Sequence, residues 1–332
     1  MLNIYVGPAI GNVITRHATE GRTAQVLRDH HLPRWREGGL TGGVLQISDW
    51  ATLGMVLSEI HRSEGELTLV TTRAEYENRP PGSFAVLLSI EGYSPAFAGE
   101  LDALHIFARL GCTAFTFSHN MQNLLCTGAN ERLGDGGFTH LGKATLRELE
   151  TLPMLVDLVH TSRASFWDAL DLYQGDILVS HSNADAVRPH PRNLTDDQIK
   201  AVAARSGVIG LNSCREYVSE DALTATLSDL LDHAMHMYDL VGPDHIAIGA
   251  DYWEGPAEVL ATVMKSVDPD GSHGLRDTGA QIYGRGPDGI EDTSQLGKLP
   301  TGLAERGLTP DEIAQICGGN YLRLLERTRA TG

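Results

Sequence analysis

The chain has 332 residues, 42% of them hydrophobic, and a formal charge of −17. That length and apolar content suit a globular core and exceed one ordinary domain without exceeding a (β/α)8 barrel with insertions. The charge argues against nucleic acid and against an anionic membrane surface, because both need clustered Lys and Arg.

No run of about 18 apolar residues suggests a membrane span. The opening MLNIYVGPAIGNVITRH lacks a basic leader and a small-residue cleavage site, so it reads as a first strand and the cytoplasm is the expected location. Cys112, Cys126, Cys214 and Cys317 are far apart and form no CxxC pair. They read as reduced thiols, and a cysteine-bound zinc is not expected.

Short β-rich apolar runs alternate with helical patterns, the signal of repeated βα units around a parallel sheet. Eight strands are predicted: Leu2–Val6, Gly43–Ile47, Phe84–Ile90, Thr113–Phe117, Met154–Val159, Asp176–Val179, Val208–Leu211 and His245–Gly249. Several are continuously apolar, as strands covered on both faces must be. Thr195-Asp-Asp-Gln198 and Thr309-Pro-Asp-Glu312 are capping boxes. Glu220–Leu240 carries Leu223, Leu227, Leu230, Leu231, Ala234 and Met237 at helical spacing and predicts a core-facing helix. No linker divides the chain, so residues 1–332 are expected to form one (β/α)8 domain. The segment 267–298, rich in Gly, Asp and Pro, is irregular and follows the eighth strand, where either an active-site loop or a plain surface insertion fits.

The informative residues follow the strands. Strand three runs into Glu91, strand four into His119, strand five into His160, strand six into His181 and strand eight into Asp251. All strand C-termini of a (β/α)8 barrel open onto one face, so these residues converge. Imidazoles and carboxylates brought together make a divalent-metal site, with zinc favoured by the nitrogen ligands. Taken singly, each has a plainer explanation: a strand-end His is more often a hydrogen-bonded rim residue, Glu91 before Gly92 suits a turn, and Asp251 suits a cap. Joint occurrence after the right strands is what counts.

The other histidines read as structural. His30 and His31 sit in a polar loop, His233 and His236 are three apart on a helix and read as a solvated pair, and His140, His190 and His273 are isolated. There is no GxSxG elbow, so Ser118-His119 and Ser180-His181 are strand-end pairs rather than nucleophile and base. Gly134-Asp-Gly136-Gly137 lacks the strand and the Lys-Ser/Thr of a phosphate loop.

Several stretches, in order, resemble the membrane (renal) dipeptidases, a family of amidohydrolase-like metal-dependent barrels. They are Asp29-His-His-Leu-Pro-Arg-Trp-Arg-Glu-Gly-Gly39, Ser89-Ile-Glu-Gly92, Thr116-Phe-Ser-His-Asn120, Asp157-Leu-Val-His160, Ser180-His-Ser-Asn-Ala184 with Pro191-Arg-Asn-Leu-Thr195, Ile248-Gly-Ala-Asp251 and Gly318-Gly-Asn-Tyr-Leu-Arg323. The resemblance implies a two-zinc hydrolase of dipeptides or similar small amides, and a homodimer. It makes Glu91 the carboxylate between two metals, His160 and His181 ligands of the second, and Asp251 a ligand of the first. His119 and Arg192 then hold the tetrahedral intermediate and the substrate carboxylate, a role that suits the planar guanidinium fork.

One departure matters. Family members carry His-x-Asp after the first strand, and here Pro8 and Ile10, or with a small shift Gly11 and Val13, take those places. None binds zinc through a side chain, and His17 lies too far along to replace them. Glu91, His160 and His181 remain, three protein ligands plus an open position, which is the arrangement of a catalytic zinc. Asp251, released from the first metal, is then free to act as general base and acid. The leading expectation is a one-zinc hydrolase of a small C–N bond. The alternatives are a lyase, isomerase or decarboxylase on the same scaffold, which fits the loss of one metal position, or a non-catalytic accessory protein, against which the survival of the other ligands stands.

Overall fold

In the computed structural model the described residues are 2–5, 9–21, 23–91, 100–254 and 285–330. Nine strands form one sheet: β1 (Leu2–Tyr5), β2 (Gly42–Ile47), β3 (Leu67–Leu69), β4 (Phe84–Ile90), β5 (Cys112–Thr116), β6 (Leu155–Asp157), β7 (Ile177–Ser182), β8 (Val208–Leu211) and β9 (Ile246–Ile248). Every ladder is parallel, in the order β1-β2-β4-β5-β6-β7-β8-β9, and β3 pairs with β4 off that path. Cα atoms of β1 and β9 come within 8 Å of each other, so the curled sheet brings its two ends together. This is the (β/α)8 architecture expected. All eight predicted strands are present, and the unpredicted one is β3, which pairs only with β4 off the main path.

The strands build two cores by alternation, since successive side chains face opposite sides. Val86, Leu88 and Ile90 of β4 join Leu45, Ile47, Val156, Ile177, Ile209 and Ile248 in the layer between sheet and helices. On the other face Val44, Leu87, Ala114, Leu155, Leu178, Val208 and Ala247, one residue from each of seven strands, pack together. Tyr321, Leu324 and Leu325 of the C-terminal helix Asn320–Ala330 close this second cluster. One step of two residues onward, this same face turns small and polar: Gln46, Ser89, Thr116, Asp157, Ser180, Gly210 and Gly249. A further step reaches Glu91, Ser118, Asn212 and Asp251. The interior is therefore layered from an apolar floor to a polar mouth, as barrels of this kind are.

Both predicted capping boxes are present, Thr195 with Gln198 and Thr309 with Glu312. The predicted helix 220–240 runs instead over Leu227–Val241, started by a Thr226–Asp229 capping box, and Leu223 is left exposed in the preceding turn. No described helix is long and apolar enough to cross a membrane. The predicted irregular segment falls largely outside the described residues, as does His273. Its end forms a 3-10 turn, Thr293–Gln295, and the start of helix Lys298–Glu305.

Two histidine readings need correction. His233 and His236 are not a solvated pair: His233 is fully buried, accepting the Ala184 N–H on Nδ1 at 3.1 Å, while its Nε2–H donates to Val218 O at 3.0 Å. His236 pairs with Asp196 at 2.8 Å. His31 lies not in a polar loop but buried, facing Glu254 at 3.1 Å.

His233 links the loop after β7 to the loop after β8, and burial holds its pKa below the ordinary value. A proton on Nδ1 would oppose the Ala184 N–H. Below about pH 6.5 the unfolded chain takes up a proton that the folded chain refuses, so this contribution to stability is full above that pH and lost as pH falls. Urea unfolding of the wild type is expected to weaken more between pH 7.5 and 5.5 than that of His233→Gln. Equal losses in both proteins refute the assignment.

Candidate metal centre

The strand-end residues meet at the mouth. His160 Nε2 lies 2.8 Å from Glu91 Oε1, and His181 Nε2 lies 2.9 Å from His160 Nε2 and 3.5 Å from Glu91 Oε1. All three side chains are buried, and among the described residues they form a set with one ligand atom each lying within 4.8 Å of the others. Asp251 stands at the rim, its Oδ2 3.8 Å from His181 Nε2 and its side chain 14% exposed. His119 lies beside His160 with ring centroids 4.5 Å apart. Arg192 is buried with Nη2 3.4 Å from His160 Nε2, its guanidinium 5.3 Å from the Tyr217 ring centre and its Nε without a hydrogen-bond partner. Every residue singled out at strands three to six and eight is therefore brought to one place, together with Arg192.

Local backbone aims these side chains. Asn120, His160 and Asp251 have φ of +62°, +64° and +57°, a left-handed conformation that costs a non-glycine residue roughly 1–3 kcal/mol. Hydrogen bonds hold it: His160 O accepts Ala129 N–H at 2.7 Å and the Ser118 hydroxyl at 3.1 Å, and Asn120 O accepts Asn130 N–H at 2.7 Å. Asn212 Oδ1 accepts Cys214 N–H at 2.6 Å, which leaves its Nδ2–H to donate to Asp251 Oδ2 at 3.3 Å. Glu254, three residues beyond Asp251, accepts Thr293 N–H at 3.0 Å and faces His31 and Arg34, so the turn carrying Asp251 is tied to the segment that carries helix Leu32–Glu37.

The proton positions test whether a cation fits. His160 Nδ1–H donates to Asn120 Oδ1 at 2.7 Å, and His181 Nδ1 faces the Ser180 hydroxyl at 2.9 Å. With Nδ1 protonated, each Nε2 presents a lone pair, and both lone pairs converge with a carboxylate oxygen. Burial and the nearby Arg192 and His119 push both imidazoles well below their ordinary pKa, so a second ring proton is not the remedy. Three acceptors packed this closely in a dry site suit a divalent cation, and two nitrogens with one oxygen suit zinc. Burial also pushes the Asp251 carboxyl up to about 7, against the pull of Arg192 and the Asn212 amide.

The first-strand departure is only partly visible. Pro8 lies outside the described residues, Ile10 and Gly11 belong to helix Ala9–Glu20, and Val13 in that helix is buried in the apolar core. His17 is committed elsewhere, 2.7 Å from buried Glu59. Asn212 had no sequence signal, and Asn120, Asp157 and Ser180 stood in family-like stretches with no role of their own, because a hydrogen-bonding side chain announces nothing until its partner is known.

A sequence profile of the membrane dipeptidases, peptidase family M19, matches residues 51–266. The chain belongs to the membrane dipeptidase family. The matched interval holds Glu91, His119, His160, His181, Arg192 and Asp251, and β1 lies before it. Dipeptidase aclJ of Aspergillus oryzae is 30% identical over 248 residues, 74% of this chain and 52% of its own length. The chain spans about half the length of the curated relatives it matches. Among solved structures, dipeptidase AC, a metallo peptidase of family M19, superposes with a TM-score of 0.80 at 23% identity, covering 98% of each chain. A Rhodobacter sphaeroides metallo peptidase liganded with a phosphinate mimic of the dipeptide L-Ala-D-Ala superposes with a TM-score of 0.76 at 22% identity, covering 98% of this chain and 99% of that one. These two likenesses speak for the fold shared across the family.

Gly210 in β8 and Gly249 just after β9 both approach Ser180 of β7, and a Cβ on either overlaps the Ser180 carbonyl oxygen. Strands β7, β8 and β9 close up there only because both positions lack a side chain. Gly249→Ala is expected to cost about 1–3 kcal/mol in urea unfolding of the chelator-treated protein, the usual penalty for overpacking. A loss below about 0.5 kcal/mol means the strands have slack that the packing denies.

Proposed function

We propose that the protein is a metal-dependent hydrolase of a dipeptide or a similar small amide, with one zinc held by Glu91, His160 and His181 and with Asp251 as general base and acid. The observation that carries this reading is the convergence of two imidazole Nε2 atoms and a carboxylate oxygen among buried side chains. The chain's place in the membrane dipeptidase family supports the same reading. A zinc held by these three residues would supply Lewis-acid polarisation of an amide carbonyl and a nucleophilic water near neutral pH.

The chain's own residues supply the remainder. Asp251, on the rim 3.8 Å from His181, takes a proton from the attacking water and returns it to the departing amine. The Asn212 amide keeps the reacting oxygen oriented. Arg192, with an unsatisfied N–H and a guanidinium aligned beside Tyr217, grips the substrate carboxylate, and that grip selects a small substrate with a free C-terminus. His119, beside His160, donates to the carbonyl oxygen as negative charge develops on it.

Protein purified without chelator is expected to carry about one zinc per chain and to hydrolyse dipeptides. His160→Ala loses both. Asp251→Asn keeps the metal while kcat falls roughly 10²–10⁴-fold. Elemental analysis beside a dipeptidase assay decides: a wild-type protein free of metal sinks the proposal. Arg192→Lys is expected to raise KM for free dipeptides far more than for their C-terminal amides, and an equal rise for both removes Arg192 from carboxylate recognition.

A further inference from the structure

Strand β8 ends at Leu211, and its register with β7 ends on the Ser182–Leu211 pair. On the β9 side the backbone stays paired past that point. Gly249 N–H donates to Leu211 O at 3.0 Å, and Ser213 N–H donates to Ala250 O at 3.1 Å. Asn212 lies between them, and its own N–H and C=O need partners on the β7 side, where the ladder has stopped. An unpaired backbone group in a buried position is costly. The Asn183 side chain meets both groups: its Oδ1 accepts Asn212 N–H at 3.1 Å, and its Nδ2–H donates to Asn212 O at 2.9 Å. Facing a donor and an acceptor at once fixes which end of this amide is oxygen. Both asparagines are fully buried. Asn183 is anchored in turn, because Leu194 N–H donates to its carbonyl at 2.8 Å and the next residue, Ala184, donates to His233.

We infer that Asn183 is a positioning residue that sets the orientation of the Asp251 carboxylate through Asn212. The inference rests on the reading of Asp251 as general base and acid. Asn183 holds the Asn212 backbone, and Cys214 N–H holds the Asn212 side chain by donating to its Oδ1 at 2.6 Å. The Asn212 Nδ2–H is then aimed at Asp251 Oδ2, 3.3 Å away. That same oxygen lies 3.8 Å from His181 Nε2, so the series of contacts ends on the oxygen that faces the cluster. Asp251 sits on a left-handed turn and is 14% exposed, and its own backbone does not fix where the carboxylate points. A group that takes a proton from water and returns it works only within a narrow range of positions. An amide with a purely structural role would lower stability and leave turnover by the folded protein unchanged.

Asn183→Ala removes both contacts to Asn212. Asn183 Nδ2 also lies 3.4 Å from Tyr217 O, but that carbonyl keeps the Asn193 Nδ2–H donor at 2.9 Å, so the Arg192 side of the site is retained. With a dipeptide substrate, kcat is expected to fall about 10–100-fold, the scale of a displaced catalytic group. KM is expected to stay within about threefold, because binding is not what the substitution removes. Zinc content is expected to match the wild type. In an Asn212→Ala background the same substitution is expected to change kcat less than about twofold, since two residues acting through one contact are not additive. Should Asn183→Ala fail to fold, Asn183→Ser, whose hydroxyl is too short to span both Asn212 groups, carries the same expectations. Additive losses in the double variant, a loss of zinc, or wild-type kcat in the folded variant each overturn the inference.

Crystal structures of the metal-free wild type and variant give a readout independent of turnover. In the variant, Asn212 Nδ2 is expected to lie beyond hydrogen-bonding distance of Asp251 Oδ2, more than about 3.5 Å. A retained contact overturns the role of Asn183 and leaves the proposed hydrolase standing. A wild-type protein that hydrolyses no dipeptide sinks the hydrolase reading instead, and the two structures then decide the role of Asn183.

Discussion

The site is organised around a repulsion. Two imidazole nitrogens and a carboxylate oxygen are held 2.8–3.5 Å apart among buried side chains. Unpaired buried charge and facing lone pairs are both costly, so such a cluster suits a cation, and Arg192 Nη2 lies 3.4 Å from His160 Nε2 beside it. Everything near the mouth serves that constraint. Asn120 Oδ1 faces His160 Nδ1, the Ser180 hydroxyl faces His181 Nδ1, and hydrogen bonds to the His160 carbonyl hold its backbone in the left-handed region.

The barrel makes this affordable by separating stability from chemistry. An apolar floor, with one side chain from each of seven strands and a helical plug beneath, sits below a polar layer. The reactive groups stand one step above that layer, where the strands end. Period-two alternation thus converts distance along each strand into depth within the molecule. Glycines 210 and 249 let β7, β8 and β9 approach around Ser180, so the polar layer is dense as well as hydrogen-bonded. Mouth and floor answer to different demands, and a loop can change at one without disturbing the other.

Glu91, His160 and His181 fall within the interval that matches the family, while the first strand lies before it. The family match begins beyond it, and Val13, in the helix that follows, is given to the apolar core. His17, the nearest histidine, is locked against Glu59. Glu91, His160 and His181, with Asp251 on their rim, are what the described residues bring together.

Alternation of apolar runs with helical stretches foretold the eight strands of the barrel path. It missed β3, a three-residue strand, and it began the helix Leu227–Val241 too early because Leu223 matches the period yet faces solvent. The chemistry-bearing residues after the strands were legible for a geometric reason: parallel strands end on one face, so position in the sequence alone predicts convergence. The amides and hydroxyls that orient them were not legible, and neither was buried His233, which the three-residue spacing to His236 disguised as surface. A hydrogen bond between Asp157 and Ser180, or between Asn120 and His160, joins residues on or just after different strands, and nothing local marks the pairing. What the sequence determined by itself was which groups arrive at the mouth. Which way each ring carries its proton, how deeply each carboxylate is buried and which backbone is held out of its comfortable region were decided by tertiary packing, because those properties depend on neighbours that only the closed sheet supplies.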